Sequence, residues 1–295
     1  MKDGFIKIKR ALVSVSSKTK LLDLANLLAK RKVEIISTGG TSKFLVENGY
    51  EITEVSKLTG FPEILNGRVK TLHPDIHAPI LFDRKDADSI KEIKNRGFIP
   101  IDLVVVNLYP FEFKVMNKSS ENEIIENIDI GGVTLIRAAA KNFSSVTVLT
   151  DTKDYTKFEE EFNANEGSIG LDLRRSFAGK AFIETAYYDN LISEWMLKST
   201  NLEDTEKRLF GGKVDFRLKY GENPHQQATF VKSSFSSKKN KDFSIIKGES
   251  LSFNNFMDIT AAYKILSELN IYNKPASAII KHSNPCGVSV SENAY

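Results

Sequence analysis

A single cysteine, Cys286, stands in 295 residues, which excludes an internal disulfide. No apolar run has the length of a signal-peptide core or a membrane-spanning helix, and the first residues, Met-Lys-Asp-Gly-Phe-Ile-Lys, form neither. Charge of one sign is lacking too: 41 basic against 38 acidic residues leave +3 and no basic arm, so a nucleic-acid surface is not indicated. His73, Asp75 and His77 alternate, but no second cluster supplies further metal ligands. No internal repeat marks a solenoid. By elimination the expectation is a cytoplasmic protein with no membrane, nucleic-acid or metal partner.

What is there is ordinary globular material, 41% hydrophobic and long enough for one large domain or two ordinary ones. The run Arg10 to Ser16 reads as a strand, followed by a helix over Lys18 to Lys32 with Leu21, Leu24, Ala25 and Leu28 at helical spacing. The pattern repeats in Val33 to Ser37 with Thr41 to Asn48, and in Ile101 to Leu108 with a helix capped near Ser119 or Ser120; Val146 to Thr150 is a further strand. Val/Ile-rich strands alternating with helices imply an α/β fold, a parallel sheet covered on both faces, with ligands at the carboxyl ends of its strands. Gly167 to Leu197 reads as a long helix, Leu202 to Gly212 as a boundary, and Lys232 to Asp242 as an exposed Ser/Lys-rich loop. The predicted domains are 1–200 and 201–295. The second holds Leu251 to Asn255 leading into a helix, and a strand, Ala276 to Lys281, running into a Pro285-Cys286-Gly287 turn.

Three polar motifs close predicted strands and can converge: Ser14-Val15-Ser16-Ser17-Lys18, Ser37-Thr38-Gly39-Gly40-Thr41 and Asn107-Leu108-Tyr109-Pro110-Phe111. In the second, glycines at 39 and 40 permit positive φ and close approach, and hydroxyls sit beside the free N–H groups of the following helix, which suits a phosphate; it also reads as a plain strand-to-helix turn. Arg68 and Lys70 would share one side of an extended segment and suit a phosphate or a developing oxyanion, or else form a solvated basic turn. Asp129 precedes Gly131-Gly132 and a helix carrying Arg137 and Lys141 on one face; capping is its plain role. Tyr109 also reads as structural, and His73 and His77 as packed histidines. Lys281-His282 is the sharpest catalytic pair, an oxyanion stabiliser beside a proton carrier, and Cys286 reads as a buried structural thiol.

Taken together, Ser14 to Thr19, Ser37 to Thr41, Thr59 to Glu63, Gly67 to Pro74, Asn107 to Phe111, Ile128 to Asn142, Tyr220 to Gln226 and Lys281 to Gly287 resemble one family over nearly the whole chain. It is the bifunctional purine-biosynthesis family that joins an aminoimidazole carboxamide ribonucleotide formyltransferase to an inosine monophosphate cyclohydrolase. The resemblance implies a methylglyoxal synthase-like first domain and a partial cytidine deaminase-like α/β second domain without zinc. It assigns the nucleotide phosphate to Ser16, Lys18, Thr38, Gly39, Gly40, Thr41, Arg68, Val69, Lys70 and Thr71, the base to Asn107, Asp129 and Ile130, and counts Ser17 among the substrate-binding residues. It implies cyclisation chemistry at Lys70, Tyr109, Asp129 and Lys141, with Lys141 transferring the proton and Lys70 steadying charge. Formyl transfer from 10-formyltetrahydrofolate would use His282 as proton shuttle and Lys281 as stabiliser, with Lys219, Tyr220 and Asn255 on the nucleotide. Purine ribonucleotides are the expected ligands, in a homodimer whose transferase sites lie between subunits.

Two departures from that pattern are visible. Lys219 replaces a usual Arg, exchanging a bidentate fork for a point charge, and Ser17 replaces a usual Asp; each is expected to cost affinity without abolishing activity. The chain also stops at Tyr295, shortly after Lys281-His282, so a shortened chain with a whole cyclohydrolase and an incomplete folate site is expected. The Ser37 to Thr41 loop alone would also suit a methylglyoxal-synthase-like lyase, against which the Arg68 to Pro74 and Asn107 to Phe111 motifs argue. A regulatory nucleotide-binding module is the other alternative.

Overall fold

Short Val/Ile/Leu runs and the helices between them set the order of the first unit, Met1–Leu209. It begins Ile6–Lys7 (β1), Arg10–Val15 (β2), Leu21–Lys30 (α1), Glu34–Ser37 (β3), Gly39–Glu47 (α2), Thr53–Glu54 (β4), Val55–Thr59 (α3), Pro74–Leu81 (α4) and Ala87–Asn95 (α5). It continues Leu103–Asn107 (β5), Phe111–Met116 (α6), Glu121–Glu126 (α7), Gly131–Lys141 (α8), Thr147–Leu149 (β6), Tyr155–Ala164 (α9), Ser168–Ile169 (β7) and Leu171–Lys198 (α10). The computed structural model describes residues 4–198, 200, 206–233, 235, 246–247 and 250–293.

Five strands form one parallel sheet in the order β4-β3-β2-β5-β6, with Val13 opposite both Ser37 and Val105. The strands do not alternate because helices cover both faces: Leu12, Ile36, Val104 and Val105 are fully buried. Each such side chain contributes roughly 1.5–3 kcal/mol of burial. Of the helices, α1 buries Leu21, Leu24, Ala25, Leu27 and Leu28, while α8 buries Leu135, Ile136 and the run Ala138 to Ala140 and packs on β5 and α10. The polar groups at the amino ends of the strands are tied down. Asp102 accepts from the Lys9 and Arg10 amides (2.8 and 3.0 Å) and from Arg84 Nη1 (2.6 Å). Arg174, 1% exposed, donates to the carbonyls of Phe143, Ser144 and Ile169, and burial, with the Arg84 guanidinium nearby, lowers its pKa to about 10 despite the pull of Glu161.

The α1 helix begins at Leu21 rather than Lys18, because residues 16–18 are held in a loop by Asn107 and Thr41. The strand predicted over Ile101 to Leu108 is β5, trimmed at both ends.

Among its described residues the second unit, Phe210–Tyr295, holds two antiparallel hairpins and a helix. Gly212–Arg217 (β8) pairs with Thr229–Ser233 (β9); Phe253–Leu269 (α11) packs on Ala276–Lys281 (β10) and Asn284–Val290 (β11), which pair with each other. Phe216, Phe230 and Phe256 stack at 4.9–5.9 Å between ring centroids. Ser252 and Asn255 form a capping box at the start of α11. Two expectations are corrected here. The turn after β10 is His282-Ser283, both in the left-handed region (φ 53° and 61°), and Pro285-Cys286-Gly287 lies within β11. Cys286 is exposed, because the described residues of β11 leave both of its faces largely uncovered. Of the predicted Lys232 to Asp242 loop, Lys232 and Ser233 end β9, Phe235 is in a turn, and the rest lies outside the described residues. Among the described residues no helix is long and apolar enough to cross a membrane.

Candidate active site

The carboxyl ends of β2, β3 and β5 and the amino ends of α2 and α8 surround a cleft of about 590 Å³. An open parallel sheet leaves its ligand crevice at this edge, where helix N–H groups point outward. Thr41 ties two walls together: its hydroxyl donates to the Val15 carbonyl (2.9 Å) and accepts from Val15 N–H (3.1 Å) and Lys18 Nζ (2.9 Å). Asn107 Oδ1 accepts from the amides of Ser16 and Ser17 (2.7 and 2.9 Å), and its Nδ2 donates to the Ser17 carbonyl (3.1 Å). Lys18 is half-buried, and that burial, with Lys70 nearby, holds its pKa below the usual lysine value.

The amino end of α2 lies under Lys70. Gly39 is left-handed (φ 53°), and a Cβ there would meet Lys70 Nζ at 3.3 Å and Glu63 Oε1 at 3.6 Å. Thr38 does not cap α2 with its side chain; its hydroxyl donates to Glu63 Oε1 (2.6 Å) instead. Arg68 follows a 3₁₀ turn, Leu65–Gly67, so it does not lie in an extended segment, yet it and Lys70 line the same cleft. Its guanidinium pairs with Glu126, and each raises or lowers the other's pKa in the sense that favours the charged pair.

Opposite them Asp129 occupies the turn before α8. Its Oδ1 accepts from Gly132 N–H (2.7 Å), and its own amide donates to the Tyr188 hydroxyl (3.0 Å). Burial pushes its pKa above 3.8 despite hydrogen bonds from the Gly132 and Tyr109 backbones and the pull of Lys70. The glycines are needed here for space: a Cβ at Gly132 would meet Asp129 Oδ2 at 2.5 Å, and one at Gly131 would meet Thr71 Oγ1 at 2.8 Å. A carboxyl group inclined to take a proton, an ammonium group and a cradle of hydroxyls and helix amides thus share one cleft. That set suits binding of an anionic ligand with proton transfer beside a developing negative charge.

Of the residues singled out in the sequence, Ser16, Lys18, Thr38, Gly40, Thr41, Arg68, Lys70, Thr71, Asn107, Tyr109, Asp129 and Ile130 line this cleft. Ser17, Gly39 and Val69 adjoin it through their neighbours without lining it. Lys141 lies at the other end of α8, about 15 Å along the helix at 1.5 Å per residue, and lines a separate groove with His73, His77, Arg137 and Phe182. His73 Nδ1 accepts from the Asp75 amide (3.2 Å) as an N-cap, and burial lowers the pKa of His77 against a backbone hydrogen bond with Thr71. Among the described residues no group of three or more His, Cys, Asp or Glu forms a metal site. In the second unit Lys219, Asn255, Lys281 and His282 are exposed and Tyr220 half-buried, with the Tyr220 carbonyl accepting from Phe253 N–H (3.1 Å). Sequence reasoning missed Glu63, Glu126 and Tyr188. Only Glu63 carried a signal, as the last residue of the Thr59 to Glu63 motif.

Residues 139–295 match the family model for the AICARFT/IMPCHase bienzyme, and residues 20–134 match the MGS-like domain. Curated proteins named "Bifunctional purine biosynthesis protein PurH" are similar over nearly the whole chain. The one from Agrobacterium fabrum (strain C58 / ATCC 33970) is 44% identical over 284 residues, 96% of this chain and 53% of the relative. Those from Leptospira biflexa serovar Patoc (strain Patoc 1 / Ames) and Bradyrhizobium diazoefficiens are 46% and 45% identical, covering 97% and 98% of this chain and 55% and 54% of the relatives. The chain therefore spans about half the length of the curated relatives it matches. Among solved structures, the crystal structure of ForH superposes with a TM-score of 0.57 and 30% identity, covering 64% of this chain and 98% of ForH.

Proposed function

The chain belongs to the AICARFT/IMPCHase bienzyme family, and on that premise we propose that its first unit closes the purine ring of a formylated aminoimidazole carboxamide ribonucleotide. The products are inosine monophosphate and water, and the reaction is a step of purine biosynthesis. The observation that supports this reading is the convergence of Lys70, Tyr109 and Asp129 with the 38–41 loop in one cleft.

The phosphate sits at the amino end of α2 with Lys18, Thr38, Gly40 and Thr41, and Arg68 turns to it from Glu126. The base lies along Asn107, Asp129 and Ile130. Ring closure requires a poorly nucleophilic carboxamide nitrogen to attack the formyl carbon, so holding the two groups in contact is the first contribution. Asp129 takes the proton from the attacking nitrogen, which its raised pKa favours, while Lys70 and the Tyr109 hydroxyl steady the formyl oxygen as its C=O bond opens. The proton held by Asp129 then passes to that oxygen; as the C–O bond breaks and the C=N bond of the new ring forms, the nitrogen that carried the formyl group gives up its own proton, and this second proton leaves with the oxygen as water. Positioned proton transfer of this kind is worth roughly 10²–10⁴-fold.

The same reading gives the second unit to formyl transfer from 10-formyltetrahydrofolate, with Lys281 stabilising charge, His282 carrying the proton and Lys219, Tyr220 and Asn255 on the nucleotide. Two copies pair, and the protein works in the cytoplasm. The His282-Ser283 turn supports this use, since it carries His282 at an exposed hairpin tip beside Lys281.

The test is inosine monophosphate formation from the purified formylated nucleotide with no folate present, for the chain and its Asp129→Asn and Lys141→Ala variants. Turnover that Asp129→Asn removes supports cyclisation in this cleft. A chain that binds inosine monophosphate without turnover overturns it in favour of a binding module. Loss on Lys141→Ala would move the proton transfer to Lys141, and retention would leave it with Asp129.

A further inference from the structure

The turn that presents Asp129 has no regular secondary structure of its own: α7 ends at Glu126, Asn127 is its C-cap, and α8 begins at Gly131. Its backbone is pinned from outside. The Tyr188 hydroxyl, on α10, donates to the Asn127 carbonyl (2.6 Å) and accepts from the Asp129 amide (3.0 Å), bridging two backbone groups two residues apart. The ring is 4% exposed and set edge-to-face on Phe111 (6.1 Å), which packs in turn on Trp195 (5.8 Å), so the hydroxyl has little freedom to move. From the other side the Asp129 carboxylate is held by Gly132 N–H (2.7 Å).

The structure assigns Tyr188 as a positioning residue for ring closure, one that sets the Asn127–Asp129 turn and through it the aim of the Asp129 carboxylate into the cleft. The inference rests on the cyclisation reading and extends it to a residue that touches no substrate. A second observation points the same way. Asp129 falls within the stretch matching the MGS-like domain, 20–134, whereas Tyr188 falls in the stretch matching the bienzyme family, 139–295. The hydroxyl that fixes the carboxylate is thus contributed by a helix outside the MGS-like match.

The experiment compares Tyr188→Phe with Tyr187→Phe in the full chain. Tyr187 lies on the same helix, but its hydroxyl donates to Glu112 (3.0 Å). Measured for each are kcat, KM for the formylated nucleotide, the pH–rate profile and the melting temperature, with kinetics run below the lowest midpoint. Tyr188→Phe is expected to lower kcat about 10- to 100-fold, as displaced reacting groups do, with KM within about threefold. The acidic limb of its pH–rate profile moves, and Tyr187→Phe changes neither kcat nor profile. In an Asp129→Asn background Tyr188→Phe gives no further loss of kcat, because both changes act through one carboxylate. Equal kcat and unchanged profiles for the two phenylalanine variants would overturn the assignment, as would a full additional loss in the Asp129→Asn background. If Asp129→Asn alone turned over like the parent chain, the cyclisation reading would fall; if it were inactive while Tyr188→Phe were normal, only this inference would.

Discussion

Adding one methyl group at Gly132 tests the site most directly. The new Cβ would stand 2.5, 2.9 and 2.8 Å from the Asp129 carboxyl atoms Oδ2, Oδ1 and Cγ, and contacts under 3.0 Å are essentially never seen. The carboxylate must therefore retreat by at least 0.5 Å (3.0 − 2.5), and it is expected to give up its 2.7 Å bond from Gly132 N–H. Alanine for glycine in a helix gains about 1 kcal/mol, whereas losing a hydrogen bond to a charged group costs about 1.5–3 kcal/mol. The net loss of about 0.5–2 kcal/mol lowers the midpoint of a unit this size by roughly 1–8 °C. Turnover suffers more, because displacing a reacting group by around 1 Å can cost about 10²-fold. Gly132→Ala is thus expected to lower kcat for inosine monophosphate formation about 10- to 100-fold while calorimetric affinity for inosine monophosphate stays within about threefold. Gly179→Ala, on α10 with nothing within 4 Å of the new Cβ, supplies the comparison and should gain stability with kcat unchanged. A Gly132→Ala protein with kcat within about threefold of the parent would refute the reasoning that the carboxylate's place governs the rate.

Two further outcomes follow from the charges around the cleft. Glu126→Gln releases Arg68 from its exposed partner and should tighten inosine monophosphate binding a few-fold, with a steeper salt dependence; unchanged affinity in a salt titration would mean that Arg68 does not reach the phosphate. Burial raises the pKa of Asp129 in the folded chain above that of an ordinary aspartate, so between those two values the folded chain binds the extra proton and stability falls as pH rises. Asp129→Asn lacks this dependence, and urea midpoints should show wild type losing ground to it from about pH 4 upward and then levelling; wild type gaining ground with rising pH would contradict the burial argument.

The strands around the site were legible because a covered parallel sheet demands continuous apolar runs, and Leu12, Ile36 and Val104 stand in such runs. The 38–41 loop and Asp129 were legible because glycines beside hydroxyls and carboxyls before helices carry local signals. Lys141 shows where that kind of reading stops. Helical spacing puts it on one face with Arg137, but only the direction of α8 separates it from the cleft that the other end of the helix enters. Tyr188 and Glu126 gave no signal, since their partners are 59 to 61 and 58 residues away in the chain. The second unit misled for a local reason. Pro285 and Gly287 carry the usual turn residues, yet the chain turns at His282-Ser283 and Pro285 is taken into a strand opposite Ile280.

The packing of α10 against α8 and β6 also bears on how such a chain can be divided. The two family matches meet between residues 134 and 139, inside α8, while the compact units part at Leu209 and Phe210. A cut at the match boundary would split the helix whose first turn holds Asp129 and strand the tyrosine that steadies it on the other piece. The border between the two family matches and the border between the compact units lie about seventy residues apart in this protein, and α10 is the part that is matched on one side and packed on the other.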